Sequence, residues 1–107
     1  MSVVQISASD LQEKLIAKVK PLLLDVRELN EFQFARIEGS MHIPLNQIPQ
    51  RIDEVNTEQG CVVICHHGMR SQQAANFLVH SGLSNIYNLS GGIDAWSVDC
   101  DSTVPRY

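Results

Sequence analysis

The chain of 107 residues, 44% hydrophobic and 19% charged, is long enough for one domain with its own core and too short for two. Its net charge of −4, without a dense Lys/Arg cluster, argues against nucleic-acid binding. No segment approaches the roughly 18 apolar residues of a membrane span, and the first ten residues lack a signal-peptide pattern. We therefore expect one cytoplasmic domain over residues 1–107, with neither nucleic acid nor a membrane as partner.

Short apolar runs alternate with segments of helical spacing along the chain. Ser9 followed by Gln12 predicts a capping box for the first helix. The predicted strands cover residues 3–6, 22–25, 41–43, 61–64 and 86–89. The predicted helices cover residues 9–19, 28–34, 48–55 and 71–80, with a short last helix that follows Gly91 and Gly92 and carries Trp96. The side chains expected to face the core from the first two helices are Leu11, Leu15, Ile16, Leu29, Phe32 and Phe34.

This alternation predicts an α/β fold with a mainly parallel sheet covered by helices on both faces. Sites in such sheets form beyond the carboxyl ends of the strands. Asp25 ends one predicted strand, and Cys65 follows directly on another, so both lie at that edge. We expect chemistry at this edge.

Cys65 stands out among the three cysteines, which form no CxxC pair and are expected to be reduced. It lies between a buried strand and the predicted helix that begins at Ser71. In so short a connection the backbone N–H groups converge near the sulfur, and the helix start adds its positive dipole end. Both favour a thiolate and a bound oxyanion. Cys61 is expected to be a small core residue, and Cys100 lies in a polar tail.

Four ordered motifs in this chain resemble those of the single-domain rhodaneses, which are thiosulfate sulfurtransferases. They are LLLDVRELNEF (22–32), ARIEGSMHIPL (35–45), CVVICHHGMRS (61–71) and GGIDAW (91–96). The resemblance covers almost the whole chain and implies a rhodanese-like fold of five parallel strands with helices on both sides. It also implies a catalytic cysteine that cycles through a persulfide, and Cys65 matches that position. Arg36 and Glu38 depart from the family pattern, which more often has His and Pro there.

The residues of the loop are assigned roles from this resemblance and from their chemistry. The substrate and oxyanion loop is expected to comprise His66, His67, Gly68, Met69, Arg70 and Ser71. Arg70 would either face the leaving sulfite or brace the loop, and each histidine would either assist an anion or face solvent. Ser71 is expected to cap the helix, with a hydrogen bond to the sulfur as the alternative.

Asp25 and Arg27 are expected to be structural residues near the site that tie neighbouring loops together. His42 and Trp96 are expected to serve the fold. We expect no cofactor and no metal. The expected partners are a small anionic sulfur donor and an acceptor such as thioredoxin, glutathione, another protein thiol or cyanide.

Three other functions are alternatives to sulfur transfer. Cysteine phosphatases and arsenate reductases place five residues between Cys and Arg, whereas Cys65 and Arg70 enclose four, which suits a smaller group. A zinc site would have to bridge Cys61 and Cys65, about 13 Å apart on a strand. A rhodanese-like module that senses redox state or binds a partner without significant turnover stays open, because a reactive thiolate also serves sensing.

Overall fold

Five short strands form one sheet in the computed structural model, which describes residues 2–107. Met1, part of the predicted domain, lies outside the described residues. The strands are β1 (Val4–Ile6), β2 (Leu22–Asp25), β3 (Met41–His42), β4 (Cys61–Ile64) and β5 (Ile86–Leu89). They are ordered β1-β5-β4-β2-β3, and every pair is parallel. The predicted α/β fold with a parallel five-stranded sheet is therefore confirmed.

Helices cover both faces of this sheet. They are α1 (Ala8–Ile16), α2 (Leu29–Phe34), α3 (Ile48–Arg51), α4 (Met69–His80) and α5 (Gly92–Asp99), with short 3₁₀ segments at Leu45–Gln47 and Ile52–Glu54. None of the helices within residues 2–107 has the length and apolar character needed to cross a bilayer.

The central strand β4 is buried along its whole length and supplies both halves of the core. Its side chains alternate between faces, as the two-residue period of a strand requires. Val62 and Ile64 join one apolar cluster, and Cys61 and Val63 join the other. The first cluster includes Leu11 of α1 and Trp96 of α5, and the second includes Ile48 of α3 and Leu78 of α4. Strand β4 therefore lies fixed at the centre of the sheet, and Cys65 follows it directly.

The N-cap of the first helix lies two residues earlier than predicted. Ser7, not Ser9, is the N-cap: its Oγ accepts from the Asp10 N–H, and the Asp10 carboxylate accepts from the Ser7 N–H, both at 3.1 Å. The reason is that β1 ends at Ile6, so the chain turns into the helix at once. The predicted box of Ser9 and Gln12 is wrong.

Several side chains expected to face the core lie at the surface instead. Leu11 is fully buried, but Ile16 is 80% exposed, and Leu29 and Phe34 are each 56% exposed. Helix α2 has only six residues and buries none of them. In so short a segment the apolar spacing does not define a buried face, because the contacts of the flanking loops set its orientation.

Candidate active site

Cys65 lies at the carboxyl edge of the sheet, as expected from its place after β4. It is 1% exposed, and the loop that follows it runs to the start of α4 at Met69. The Gly68 N–H donates to Cys65 Sγ at 3.0 Å, and the thiol in turn lies 3.3 Å from Ser71 Oγ. The sulfur is thus held by a backbone donor at the helix start and by a hydroxyl.

Ser71 is not the helix cap. Gly68 is the N-cap, with φ of 105°, so α4 begins before Ser71. The Ser71 hydroxyl is buried and donates to Asn88 Oδ1, while Asn88 Nδ2 donates to the Gly68 carbonyl at 3.2 Å. The expectation of capping is therefore wrong. Ser71 instead faces the sulfur, and Asn88 of β5 fixes both Ser71 and Gly68.

The start of α5 binds the backbone of the loop through two hydrogen bonds. The Ile93 N–H donates to the Cys65 carbonyl at 2.9 Å, and the Asp94 N–H donates to the His66 carbonyl at 3.2 Å. Gly92, with φ of 65°, lies so close that a Cβ there would collide with both carbonyl groups. The start of α5 therefore packs closely against the loop and is hydrogen-bonded to its backbone at two points.

Gly68 offers a direct test of this loop geometry. Besides the positive φ, a Cβ at this position would collide with the Ser90 carbonyl oxygen. We expect Gly68→Ala to destabilise the fold by about 2–3 kcal/mol and to lower any activity that depends on Cys65 by about 100-fold, since the N–H that faces the sulfur must move. Urea unfolding and a turnover assay measure the two effects.

The matched control is Gly82→Ala. Gly82 also has a positive φ, of 99°, but nothing lies within 4 Å of a Cβ placed there. This variant should lose some stability through the backbone conformation alone and keep its activity. Equal losses of activity in the two variants would mean that the Gly68 contact with the sulfur is unimportant.

Arg70 is paired with a carboxylate of helix α2. Its Nη1 and Nη2 donate to the two oxygens of Glu31 at 2.6 and 2.9 Å. This pairing with Arg70 lowers the pKa of Glu31 to about 2 and raises the pKa of Arg70 further. The Tyr107 hydroxyl adds a third hydrogen bond, to Glu31 Oε2 at 2.8 Å. Arg70 thus ties the loop to α2 while lying beside the cleft.

Asp25 and Arg27 form a fully buried ion pair behind the loop. Arg27 Nη2 lies 2.7 Å from Asp25 Oδ2 and also donates to the Ala35 carbonyl, while Nη1 donates to the Tyr107 hydroxyl at 2.8 Å. All of these contacts are within the protein. They join β2 to the segment after α2 and to the tail.

The two histidines of the loop stack on each other with ring centroids 4.0 Å apart. His66 also stacks on Tyr107 at 4.0 Å, and its partial burial lowers its pKa, an effect to which the neighbouring His67 adds. His67 is exposed, and Met69 is 80% exposed. At neutral pH the structure therefore favours an uncharged His66.

A cleft of about 380 Å³ opens beside the sulfur. It is lined by Cys65, His66, His67, Met69, Arg70 and Gln73. A larger hollow of about 490 Å³ lies elsewhere, between α2, Trp96 and the tail, and does not include Cys65. We assign the chemistry to the smaller cleft because it alone of the two contains a nucleophile beside hydrogen-bond donors.

The other two cysteines are poorly suited to form thiolates. Burial raises the pKa of Cys61 to about 12. Partial burial, together with the charges of Asp99 and Asp101, also raises the pKa of Cys100. All three cysteines are free thiols.

His42 and Trp96, the two residues expected to serve the fold, both make contacts within the protein. His42 Nε2 contacts the Arg27 carbonyl at 2.7 Å, and Trp96 packs in the core.

Three residues of the site were not singled out from the sequence. Asn88 carries a signal, because a polar residue inside the apolar run 86–89 is unusual in a central strand. Glu31 lies within one of the four motifs, but its pairing with Arg70 spans 39 positions. Tyr107 has no local signal, since only the folded tail brings it to the loop.

Known proteins similar to this chain share both its sequence and its fold. The sequence model of the rhodanese-like domain family matches residues 7–99. The thiosulfate sulfurtransferase GlpE of Pseudoalteromonas translucida is 32% identical over 93 residues, which are 87% of this chain and 89% of that protein. A rhodanese-related protein of Thermoplasma volcanium is 36% identical, with a TM-score of 0.81 over 91% of this chain and 93% of the other.

Other relatives are longer than this chain. The putative sulfur carrier protein YrkF of Bacillus subtilis is 33% identical over 90% of this chain, which spans 52% of its length. The chain spans 30% and 61% of the length of two further curated relatives. The shared unit is thus the domain, which in several relatives makes up only part of the protein.

Proposed function

Because the chain belongs to the rhodanese-like domain family, we propose that it is a sulfurtransferase that carries sulfane sulfur as a persulfide on Cys65. The observation that carries this proposal is the contact between Cys65 Sγ and the Gly68 N–H at the floor of an open cleft. Sulfurtransferase relatives such as GlpE support it. Thiosulfate, or a similar small anionic donor, is the proposed sulfur source.

In the first half of the reaction the Cys65 thiolate attacks the outer sulfur of thiosulfate. A new S–S bond forms on Cys65, the donor's S–S bond breaks, and sulfite leaves with that bond's electron pair. The attacking group and the product persulfide are both anionic at sulfur, so a fixed donor such as the Gly68 N–H stabilises the site throughout. No general base and no cofactor are needed for this step.

In the second half an acceptor nucleophile attacks the outer sulfur of the persulfide and frees the Cys65 thiolate. Cyanide gives thiocyanate, and the thiol of thioredoxin, glutathione or another protein gives a new persulfide. The cleft is open to solvent along exposed His67 and Met69, which leaves room for a protein thiol. Three free cysteines suit a reducing, cytoplasmic setting for this chemistry.

Intact-mass measurement tests the carrier state directly. After treatment with thiosulfate the protein should gain one sulfur atom, about 32 Da, and the added mass should disappear when cyanide is supplied. One molecule of thiocyanate should form for each sulfur atom that the protein loses. A protein that gains no sulfur from thiosulfate or from any persulfide donor would not be a sulfur carrier.

A further inference from the structure

The charge of Arg70 is already compensated before any substrate binds. Both terminal nitrogens of its guanidinium face the carboxylate of Glu31, in a two-point pair at 2.6 and 2.9 Å. The side chains of Glu31 and Arg70 are 16% and 34% exposed, so the pair is partly shielded from water. An anion entering the cleft therefore meets a cation and its counter-charge together, not a free cation.

The counter-charge itself is held in place by other groups. Glu31 Oε1 accepts from the Glu28 N–H at 3.1 Å, and Oε2 accepts from the Tyr107 hydroxyl at 2.8 Å. The Tyr107 hydroxyl is in turn bound by buried Arg27. Moving Glu31 away from Arg70 would break these bonds as well. The pair is thus a built part of the site, unlike a surface pair that exchanges freely with water.

The other residues that line the cleft supply little positive charge in place of the neutralised charge of Arg70. Among the described residues that line the cleft, Arg70 is the only lysine or arginine, and Met69 and Gln73 are neutral. Burial lowers the pKa of His66, which favours its uncharged form. The chain as a whole carries a net charge of −4. The electrostatic attraction between the cleft and a dianion approaching Cys65 is therefore weaker than it would be if Arg70 were unpaired.

We propose that Glu31 is a specificity-determining residue that, by neutralising Arg70, weakens the use of dianionic sulfur donors relative to donors of lower charge. This inference rests on the proposed sulfurtransferase function and names its preferred donor class: persulfides and other sulfane sulfur compounds with one negative charge or none. Thiosulfate remains a donor, but a poor one.

The chemistry is the same for each class of donor. Thiosulfate, with two negative charges, releases sulfite, and benzenethiosulfonate, with one, releases benzenesulfinate. In both, the Cys65 thiolate forms the new S–S bond while the leaving group takes the electron pair of the old one. Cysteine persulfide reacts likewise at its outer sulfur and releases the cysteine thiolate. The donors therefore differ mainly in the charge they bring into the cleft.

The test compares kcat/KM for thiosulfate with kcat/KM for benzenethiosulfonate in four proteins: wild type, Glu31→Gln, Arg70→Gln and the double variant. The local charge of the pair is zero in the wild type and in the double variant, +1 in Glu31→Gln and −1 in Arg70→Gln. The ratio of kcat/KM for thiosulfate to kcat/KM for benzenethiosulfonate should increase as this local charge becomes more positive. Relative to the wild type, the ratio should rise by about tenfold in Glu31→Gln and fall by about tenfold in Arg70→Gln. Added salt should shrink both differences.

Glu58→Gln is the matched control, because Glu58 is exposed and its replacement changes the net charge by the same amount. Its donor ratio should equal that of the wild type. Loss of loop structure would lower the rates with both donors together and leave the ratio unchanged, and an unchanged ratio in Glu31→Gln overturns the proposal. Sulfur uptake by the wild type from cysteine persulfide, followed by intact mass, checks the underlying function separately.

Discussion

Cys65→Ala should lower sulfur transfer from thiosulfate to cyanide by at least about 1,000-fold, because the sulfur is carried on this side chain and no other thiol takes its place. Cys61 is fully buried, with its pKa raised to about 12 by that burial, and Cys100 lies in the tail after α5. A colorimetric thiocyanate assay measures the loss. Alanine fits the buried position without adding a polar group, so the fold should persist.

Cys100→Ala is the control for this prediction. It removes a thiol that is partly exposed and outside the cleft, and it should keep the activity of the wild type. If Cys65→Ala kept most of the activity while Cys100→Ala lost it, the assignment of the carrier would be wrong. Urea unfolding shows whether both variants are folded.

Arg27→Met should destabilise the fold by about 3–5 kcal/mol, because it leaves the Asp25 carboxylate buried without its partner. The substitution also removes the donors to the Ala35 carbonyl and to the Tyr107 hydroxyl. Neither Arg27 nor Asp25 has any exposed side-chain surface, so water cannot replace these bonds. Chemical unfolding in urea at neutral pH gives the change in free energy.

Arg51→Met is the matched control, since Arg51 also pairs with a carboxylate, that of Glu54 at 2.9 Å, but at the surface. Its unfolding midpoint should stay close to that of the wild type. The buried pair is structurally important only if the two substitutions differ; similar midpoints for Arg27→Met and Arg51→Met would contradict the prediction.

The architecture was predictable because the strands of this fold carry strong local signals. The runs 22–25, 61–64 and 86–89 are the observed bounds of β2, β4 and β5. The alternation with helical segments then favours parallel pairing, since each crossover must return to the same edge. The pairing of β1 with β5 has no such local signal, because it joins the two ends of the fold.

The site was predictable only in part. The place of Cys65 follows from β4. The sequence pattern predicts that α4 starts at Ser71, but it starts at Met69, because the positive φ of Gly68 lets the chain enter the helix directly after the loop. The partners of Ser71 and Arg70, which are Asn88 and Glu31, come from distant parts of the chain. Such contacts depend on the sheet order and the loop packing, neither of which a local pattern encodes.

The contacts that hold the Cys65 carbonyl in place also determine when the site can form during synthesis of the chain. A ribosome releases Cys65 and its loop before it releases Ser90, Gly92 and Ile93, which press against that loop in the finished fold. Until those later residues emerge and β5 takes its place beside β4, the nucleophile has no shaped cradle. The growing chain therefore carries the Cys65 thiol before the loop around it has its final shape.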